Sequence, residues 1–502
     1  MPFLPSIQQT AVFDWAAAGS GSAIINAVAG SGKTTTLLNM LAHTSGAVAF
    51  MAFGKSIAVE IEGKAIDLNQ DIRDRLFIGT CHSFGFKALR SAYSRTKMES
   101  KKLSILCDRL DIPQDARGFV MSAVSKAKSI GIGILVPFGS RDAWYGLVDH
   151  FNLADMLPED GNLTMESALR FTCQLLKESV ATIGEMCDFD DMIYIPVLKG
   201  LRMRQYNWVL LDEAQDANLV RLAMAKMMLL PGGRFVAVGD ERQAIFGFTG
   251  ADADCFNSIS EQFSATRLNL SVSYRCPKAV VSHAQQWVPH IESAPSAIEG
   301  SVHHIDSKTF GERIETLGVG DAILCRNNAP LVSMAYRLIA AGVGCMIVGR
   351  DIGMGLVKLV MKWKRIKKIG AYRNKLESWR EMEIAKALAK GNENRAATVA
   401  DQTDCIFAIM DTLSDDETID VLKNKILALF GDIQPGETPK VVLLSSLHRS
   451  KGREWPRVYI YGAETYQPSP YARQEWQMVQ ERNLSYVGCT RAQEELIYVS
   501  AA

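Results

Sequence analysis

The stretch Ala27-Val-Ala29-Gly30-Ser31-Gly32-Lys33-Thr34-Thr35-Thr36 constrains this chain more than any other. The apolar residues 23–25 before it read as a buried strand, and residues 37–42 after it as a helix. Strand, glycine loop, Lys-Thr and helix form the context that a phosphate-binding loop requires. Gly30 and Gly32 let the backbone curl so that successive N–H groups point inward at phosphate oxygens. The helix N-terminus adds partial positive charge. Lys33 has the reach for β- and γ-phosphates, and the Thr34 hydroxyl suits a Mg²⁺ ion. In one departure, Ala27 occupies the position where the strict pattern begins with glycine.

At 502 residues the chain exceeds what a single core holds, so two to four domains are expected. Lys+Arg and Asp+Glu both total 55, so net charge does not announce a nucleic-acid partner, which would need a local basic surface instead. The ten cysteines are scattered without a C-x-x-C pair, which argues against zinc or iron–sulfur sites and for a reducing compartment, here the cytoplasm. No apolar run reaches membrane-spanning length, and Met1-Pro-Phe-Leu-Pro lacks the basic and apolar regions of a secretion signal.

Residues 4–13 lead into a helix ahead of the first strand. The Gln8 amide there both donates and accepts, which suits an adenine edge or simply a solvated helix surface. Residues 47–53 read as a second strand, 55–66 as a helix, and 77–79 as a third strand ending in Thr80-Cys-His82-Ser83-Phe84. Ligands sit at the ends of parallel strands in open α/β sheets. Thr80, His82 and Ser83 fit phosphodiester contacts and the start of a helix equally well. From about 91 to 187 the strand–helix rhythm gives way to polar helical sequence, locally basic over 97–102, which reads as an inserted helical subdomain.

The main pattern resumes with Cys187-Asp-Phe-Asp-Asp-Met192 and then Trp208-Val-Leu-Leu-Asp212-Glu213-Ala-Gln-Asp216. An apolar strand ending in two acids meets the needs of a Mg-nucleotide site: Asp212 for the metal shell, Glu213 to polarise the attacking water. Residues 234–238 form another core strand, with Gln243 beyond its end placed to sense a γ-phosphate. Phe246 and Phe248, two apart among glycines, suit base stacking, with core packing the other reading. Tyr274 and Arg275 suit adenine and phosphate, or are an ordinary surface pair.

A second α/β pattern begins near Gly300, with strand-like runs at 302–305, 322–325, 345–348, 441–444, 458–460 and 496–499. It is interrupted from about 352 to 439. That insertion opens with an amphipathic helix: Leu356, Leu359, Val360, Trp363 and Ile366 share one face, and Lys358, Lys362, Lys364, Arg365, Lys367 and Lys368 lie largely off it. The basic side reads either as a solvated face or as a nucleic-acid surface. Two polar segments close the chain, His448-Arg-Ser-Lys451-Gly-Arg-Glu454 and Tyr486-Val-Gly-Cys-Thr490-Arg491-Ala492, and Arg491 is a candidate arginine finger.

Taken in order, these signatures resemble the superfamily 1 DNA helicases of the UvrD/Rep/PcrA type: Gln8, Ala29-to-Thr34, Thr80-x-His-Ser83, Asp212-to-Asp216, Val238-Gly-Asp-x-x-Gln243, Tyr274-Arg275, His448-x-x-Lys-Gly-x-Glu454 and Tyr486-to-Ala492. The resemblance implies an α/β protein of two RecA-like parallel-sheet motor domains with ATP between them. The first would comprise 1–91 and 188–276 with a helical insertion at 92–187, the second 277–351 and 440–502 with an insertion at 352–439. It implies ATP and Mg²⁺ as cofactors and 3′→5′ movement on single-stranded DNA. Gln8 and Tyr274 would hold adenine; Ala29 to Thr35, Asp212 and Glu213 the Mg-ATP core; Gln243, Arg275 and Arg491 the γ-phosphate; Glu454 the ribose. Thr80, His82, Phe246, Phe248 and His448 would lie on the DNA path. Phe248 replaces the family's usual Trp, Thr249 its Arg, Gly54 an Asn, and Ser446 and Ser450 a Thr and an Ala. The length resembles compact phage, plasmid or minor bacterial members, with no nuclease domain expected. The expected partners are single strands and single/double-strand junctions, acted on by a monomer in repair, recombination or replication. A translocase that displaces bound proteins with little unwinding is the alternative.

Overall fold

The structure is a computed structural model, and it describes residues 4–501 except 19, 66–69, 152, 158–162, 248–254, 364, 390–392, 432–439, 471 and 473. Phe248 and Thr249 therefore lie outside the described residues, as does Lys364. The chain divides into two compact units. One is Met1–Val28 with Gly32–Ser271, the other Ala29–Ser31 with Val272–Ala502.

The first unit is built on a six-stranded, wholly parallel sheet of β1 (Ala23–Ala27), β2 (Val48–Ala52), β3 (Leu76–Thr80), β4 (Tyr206–Leu211), β5 (Leu229–Gly239) and β6 (Thr266–Leu270), in the order β3-β2-β4-β5-β1-β6. Helices cover both faces of such a sheet, so its central strands are apolar without alternation. Every residue of β2 is buried, as are Val209–Leu211 of β4. Helix α1 (Ile7–Ala17) is closed by a capping box between Ser6 and Gln9, and α2 (Lys33–Met40) springs directly from the glycine loop. After β3 comes α3 (Cys81–Ala92), N-capped by Thr80. The polar stretch that follows is helical as expected, with α4 (Lys102–Arg109), α5 (Arg117–Ile130), α6 (Arg141–His150) and α7 (Met165–Ala181) enclosing their own core around Phe119, Val124, Trp144 and Leu175. Helix α8 (Asp191–Leu198) returns the chain to the sheet.

The second unit holds a seven-stranded parallel sheet of β7 (Ser301–Ile305), β8 (Asp321–Cys325), β9 (Cys345–Val348), β10 (Phe430–Gly431), β11 (Val442–Ser446), β12 (Trp455–Tyr461) and β13 (Ala492–Val499), ordered β7-β13-β12-β8-β11-β9-β10. All six expected strands are present, and the two-residue β10 is added at the edge. Between β9 and β10 stand α9 (Arg350–Val360), α10 (Ile369–Ala389), α11 (Glu393–Met410) and α12 (Ile419–Leu429). The helix expected over 356–366 ends at Val360: Leu356 and Val360 are buried in the core and Leu359 packs against it, while Trp363 and Ile366 pack against the same core from the turn beyond the helix. Helix α13 (Glu475–Cys489) leads into β13.

Candidate active site

The phosphate loop sits at the C-terminal end of β1, which lies between β5 and β6, so the ends of three parallel strands converge around it. Gly30 and Gly32 have φ of +74° and +77°, left-handed values that a side chain would strain. Gly32 is also the N-cap of α2, which turns the helix's unpaired N–H groups toward the loop. The Ser31 hydroxyl is buried with no hydrogen-bond partner among the described residues. Gln9 braces the loop from behind: its Nε2 donates to Thr36 Oγ1 at 3.0 Å, and Thr36 Oγ1 donates to the Gly32 carbonyl at 2.9 Å.

Lys33, the first residue of α2, meets the end of β4. Its Nζ lies 3.3 Å from Glu213 Oε1. Burial works against the ammonium charge, but Glu213, Asp240 and Asp212 outweigh it and hold the group above its ordinary value. Asp212 feels the converse. Burial first, and Glu213 second, push its carboxyl up to about 6. Three acids thus gather around one cation, a distribution that a bound divalent ion would balance. Glu213 itself has φ +50° and ψ +46°, a left-handed conformation costly for a residue with a side chain.

A relay leads outward from Glu213. Its Oε2 accepts from Gln215 Nε2, Gln215 Oε1 accepts from the Asp240 N–H at 3.1 Å, and Asp240 Oδ2 accepts from Gln243 Nε2 at 2.9 Å. The expected water-polarising acid and the expected γ-phosphate sensor are therefore joined through two residues to which the sequence reading gave no role, Gln215 and Asp240. Both stood inside the quoted stretches, but a contact between two strand ends has no signature along one strand. The Gln8 amide is held by Ser271: its Oε1 accepts from Ser271 N–H and its Nε2 donates to Ser271 Oγ, both at 2.7 Å.

The candidate nucleic-acid residues of this unit cluster at the ends of β2, β3 and β5. The Thr80 hydroxyl is used as the cap of α3, accepting from Ser83 N–H at 3.2 Å. His82 packs against Phe189 with ring centroids 3.9 Å apart and ring planes tilted by 33°, and Phe189 is 56% exposed despite its apolar ring. Burial and neighbouring Arg221 push His82 down to about 4, so the imidazole is neutral near pH 7. Phe246 stacks on Phe53 at 6.2 Å and 10°, with the Arg221 guanidinium 5.3 Å from the Phe53 ring. Sequence reasoning missed Phe189. Its signal was an aromatic flanked by acids, Asp188-Phe189-Asp190-Asp191.

Those acids root the platform. Lys102 Nζ lies 2.6 Å from Asp191 Oδ2 and donates to the Ser179 carbonyl at 2.7 Å. Lys128 Nζ lies 2.7 Å from both Asp188 Oδ2 and Asp191 Oδ1. Burial alone would raise the Asp191 carboxyl, yet the two ammonium groups hold it below its ordinary value. The locally basic reading of 97–102 needs correction here, because Lys102 is fully buried and serves as an internal counter-ion.

In the second unit, Arg275 Nε donates to Glu454 Oε2, and Glu454 Oε1 accepts from Gln493 Nε2 at 3.0 Å. Arg491 is 1% exposed. Its guanidinium donates to the carbonyls of Val487 at 2.8 Å and Arg453 at 3.1 Å, and to Thr490 Oγ1 at 3.2 Å. The loop between β11 and β12 thus holds both arginines at its 453–454 end and carries His448 at the other. Burial and Arg326 push His448 down to about 3. Tyr274 is 49% exposed.

A glycine loop at the end of a parallel strand, with a lysine, paired acids and a glutamine relay beside it, defines a phosphate-loop enzyme of the nucleotide-hydrolysing class. Comparison with known proteins gives the family. Residues 8–264 match the UvrD/REP helicase N-terminal domain, and residues 357–502 the UvrD-like helicase C-terminal domain. The chain belongs to the UvrD/REP helicase family. It is similar to the ATP-dependent DNA helicase PcrA of Bacillus subtilis, with 22% identity covering 96% of this chain and 81% of that protein. DNA helicase II of Salmonella typhimurium is 21% identical, covering 96% and 82%. The ATP-dependent DNA helicase Rep of Buchnera aphidicola is 22% identical over 58% of this chain, a match spanning 43% of Rep's length.

Proposed function

We propose that this chain is an ATP-dependent DNA helicase that moves 3′→5′ on a single strand and separates duplex at single/double-strand junctions. The observation that carries the reading is the Lys33–Glu213 pair at 3.3 Å, set where the glycine loop meets α2 and beside the raised Asp212 carboxyl. Thr34 and Asp212 would hold Mg²⁺, which supplies charge neutralisation on the phosphate chain. Residues 29–35 would cradle the phosphates with their N–H groups, and Lys33 would turn from Glu213 toward the β- and γ-oxygens. Glu213 would orient and deprotonate the attacking water. Through Gln215 and Asp240, a change at Glu213 would reach Gln243 and the segment bearing Phe246. Arg275 and Arg491 would contact the γ-phosphate during turnover, Glu454 and Gln8 the nucleoside, with Tyr274 stacking on the base. His82, Thr80, Phe246, Phe248 and His448 would line the strand. Because His82 and His448 are neutral, they would serve as hydrogen-bonding or stacking groups rather than as phosphate cations.

The test is strand displacement on 3′-tailed, 5′-tailed and blunt DNA duplexes and on an RNA duplex, with ATP turnover followed in parallel. Unwinding of the 3′-tailed DNA alone is the expected result. Turnover without strand separation on any substrate would favour the protein-displacing translocase, and unwinding only from 5′ tails would reverse the polarity.

A further inference from the structure

We propose that Gln9 and Thr36 are positioning residues that tie the nucleobase end of the nucleotide site to the phosphate loop, so that a correctly held base raises the turnover of the phosphates. The proposal rests on the reading of nucleotide hydrolysis above and adds a link between the two ends of the nucleotide. Helix α1 opens with two consecutive glutamines whose amides go to different partners. Gln8 is held by Ser271, the residue after β6, with Oε1 accepting from the Ser271 N–H and Nε2 donating to its Oγ. A backbone N–H can only donate, so it fixes which end of the amide is the oxygen. One lone pair on Oε1 and one hydrogen on Nε2 remain, the complement of the adenine N6 amine and N7.

Gln9 faces the other way, and both it and Thr36 are buried. Its Oε1 accepts from the Ser6 N–H at 2.9 Å, which closes the capping box. Its Nε2 donates to Thr36 Oγ1 at 3.0 Å, and a Cβ placed on Gly32 would stand 3.5 Å from the same Nε2. A hydroxyl has one proton. Thr36 gives its proton to the Gly32 carbonyl at 2.9 Å, so the direction of the relay from Gln9 to Gly32 is fixed. In a trans peptide plane the carbonyl of one residue and the N–H of the next point opposite ways. Whatever holds the Gly32 carbonyl therefore aims the Lys33 N–H, which lies in the first turn of α2 and has no intrahelical partner.

The circuit closes through the sheet. At the start of the phosphate loop the Val28 N–H donates to the Leu270 carbonyl at 3.0 Å, one residue before Ser271. One end of the loop is thus bonded to β6, where Gln8 is held, and the other to Gln9 by way of Thr36. Val12, Phe13 and Ala16 bury α1 in the core, so its first turn is a firm support. A base seated on Gln8 bears on the turn that carries Gln9. Binding energy from a part of the substrate remote from the reaction can then appear in kcat as well as in KM.

The experiment measures strand-stimulated turnover of ATP and of purine riboside triphosphate, which lacks the N6 amine. It compares the full chain with Thr36→Val, Thr36→Ser and Gln9→Met, with melting temperature as the folding control. The wild type should turn over the amine-free nucleotide with a lower kcat, by up to about 10²-fold, the cost of a ~1 Å misplacement at the reacting centre. In Thr36→Val and Gln9→Met the two kcat values should converge, and Thr36→Ser, which keeps the hydroxyl, should retain the wild-type ratio. If Thr36→Val does not fold, Gln9→Met carries the comparison, and the wild-type ratio needs no variant. A ratio unchanged in the variants, with both nucleotides slowed alike, would make the relay merely structural and overturn the proposal. Equal kcat values in a wild type that hydrolyses ATP would also overturn it and leave the hydrolysis reading standing. A folded wild type that hydrolyses neither nucleotide would instead refute the reading beneath it.

Discussion

The helices inserted after β3 and those inserted after β9 are similar in content and opposite in their handling of charge. In the first set, Lys102 on α4 and Lys128 on α5 are buried against Asp188 and Asp191 at the start of α8. In the second, Arg373, Arg380 and Arg395 pair with Asp411, Asp404 and Glu383 at the surface. Buried ions carry a large desolvation cost, which good geometry and further hydrogen bonds must offset, so they tolerate few alternative arrangements. Exposed pairs are worth little and constrain little. The first insertion is therefore held in one relation to the turn that presents Phe189 to His82. The second keeps its shape through its apolar core. One set of charges fixes an internal geometry, and the other sits on a surface that the core already holds.

Breaking the buried set should have the largest effect on stability. Asp191→Leu leaves the buried Lys102 without a counter-ion and Lys128 with Asp188 alone, and should cost about 3–5 kcal/mol in denaturant unfolding of the first unit. A loss no greater than that of a surface pair would mean the lysines find water or other partners, and the contrast would collapse.

Acid should affect the regions next. His82 is held down to about 4 in the folded chain, below its ordinary 6.5. The unfolded chain then binds more protons over that interval, so stability present above pH 6.5 is lost as pH falls toward 4. His82→Asn should flatten this part of the pH–stability curve. A curve equally steep in the variant would remove His82 from the account.

The smallest effect is expected in the second insertion. Asp411→Leu removes an exposed partner of Arg373 and should change stability by about 0–1 kcal/mol. A loss comparable to that of Asp191→Leu would show that exposure does not separate the two regions.

Much of this arrangement was legible along the chain, because short apolar runs mark buried parallel strands and the glycine loop fixes which strand end matters. Strand β10 was not legible: two residues, Phe430 and Gly431, carry no period, and only register with Ile347 and Val348 makes them a strand. Lys102 was counted in a locally basic stretch, and its burial was hidden because its counter-ion lies 89 residues away. Arg491 could be picked out as a residue of interest, but its burial against the Arg453 and Val487 carbonyls depends on the fold of the β11–β12 loop. Gln215 and Asp240 stood in plain view without a role, since what joins them is the alignment of β4 with β5.

The central claim is that nucleotide hydrolysis occurs at Glu213 beside Lys33. Its most direct test is strand-stimulated ATP turnover of Glu213→Gln, measured with nucleotide binding on the same protein. The variant keeps the size of the side chain and removes the base, so turnover should fall by about 10²–10⁴ while nucleotide and DNA still bind. Turnover near that of the wild type would contradict the assignment.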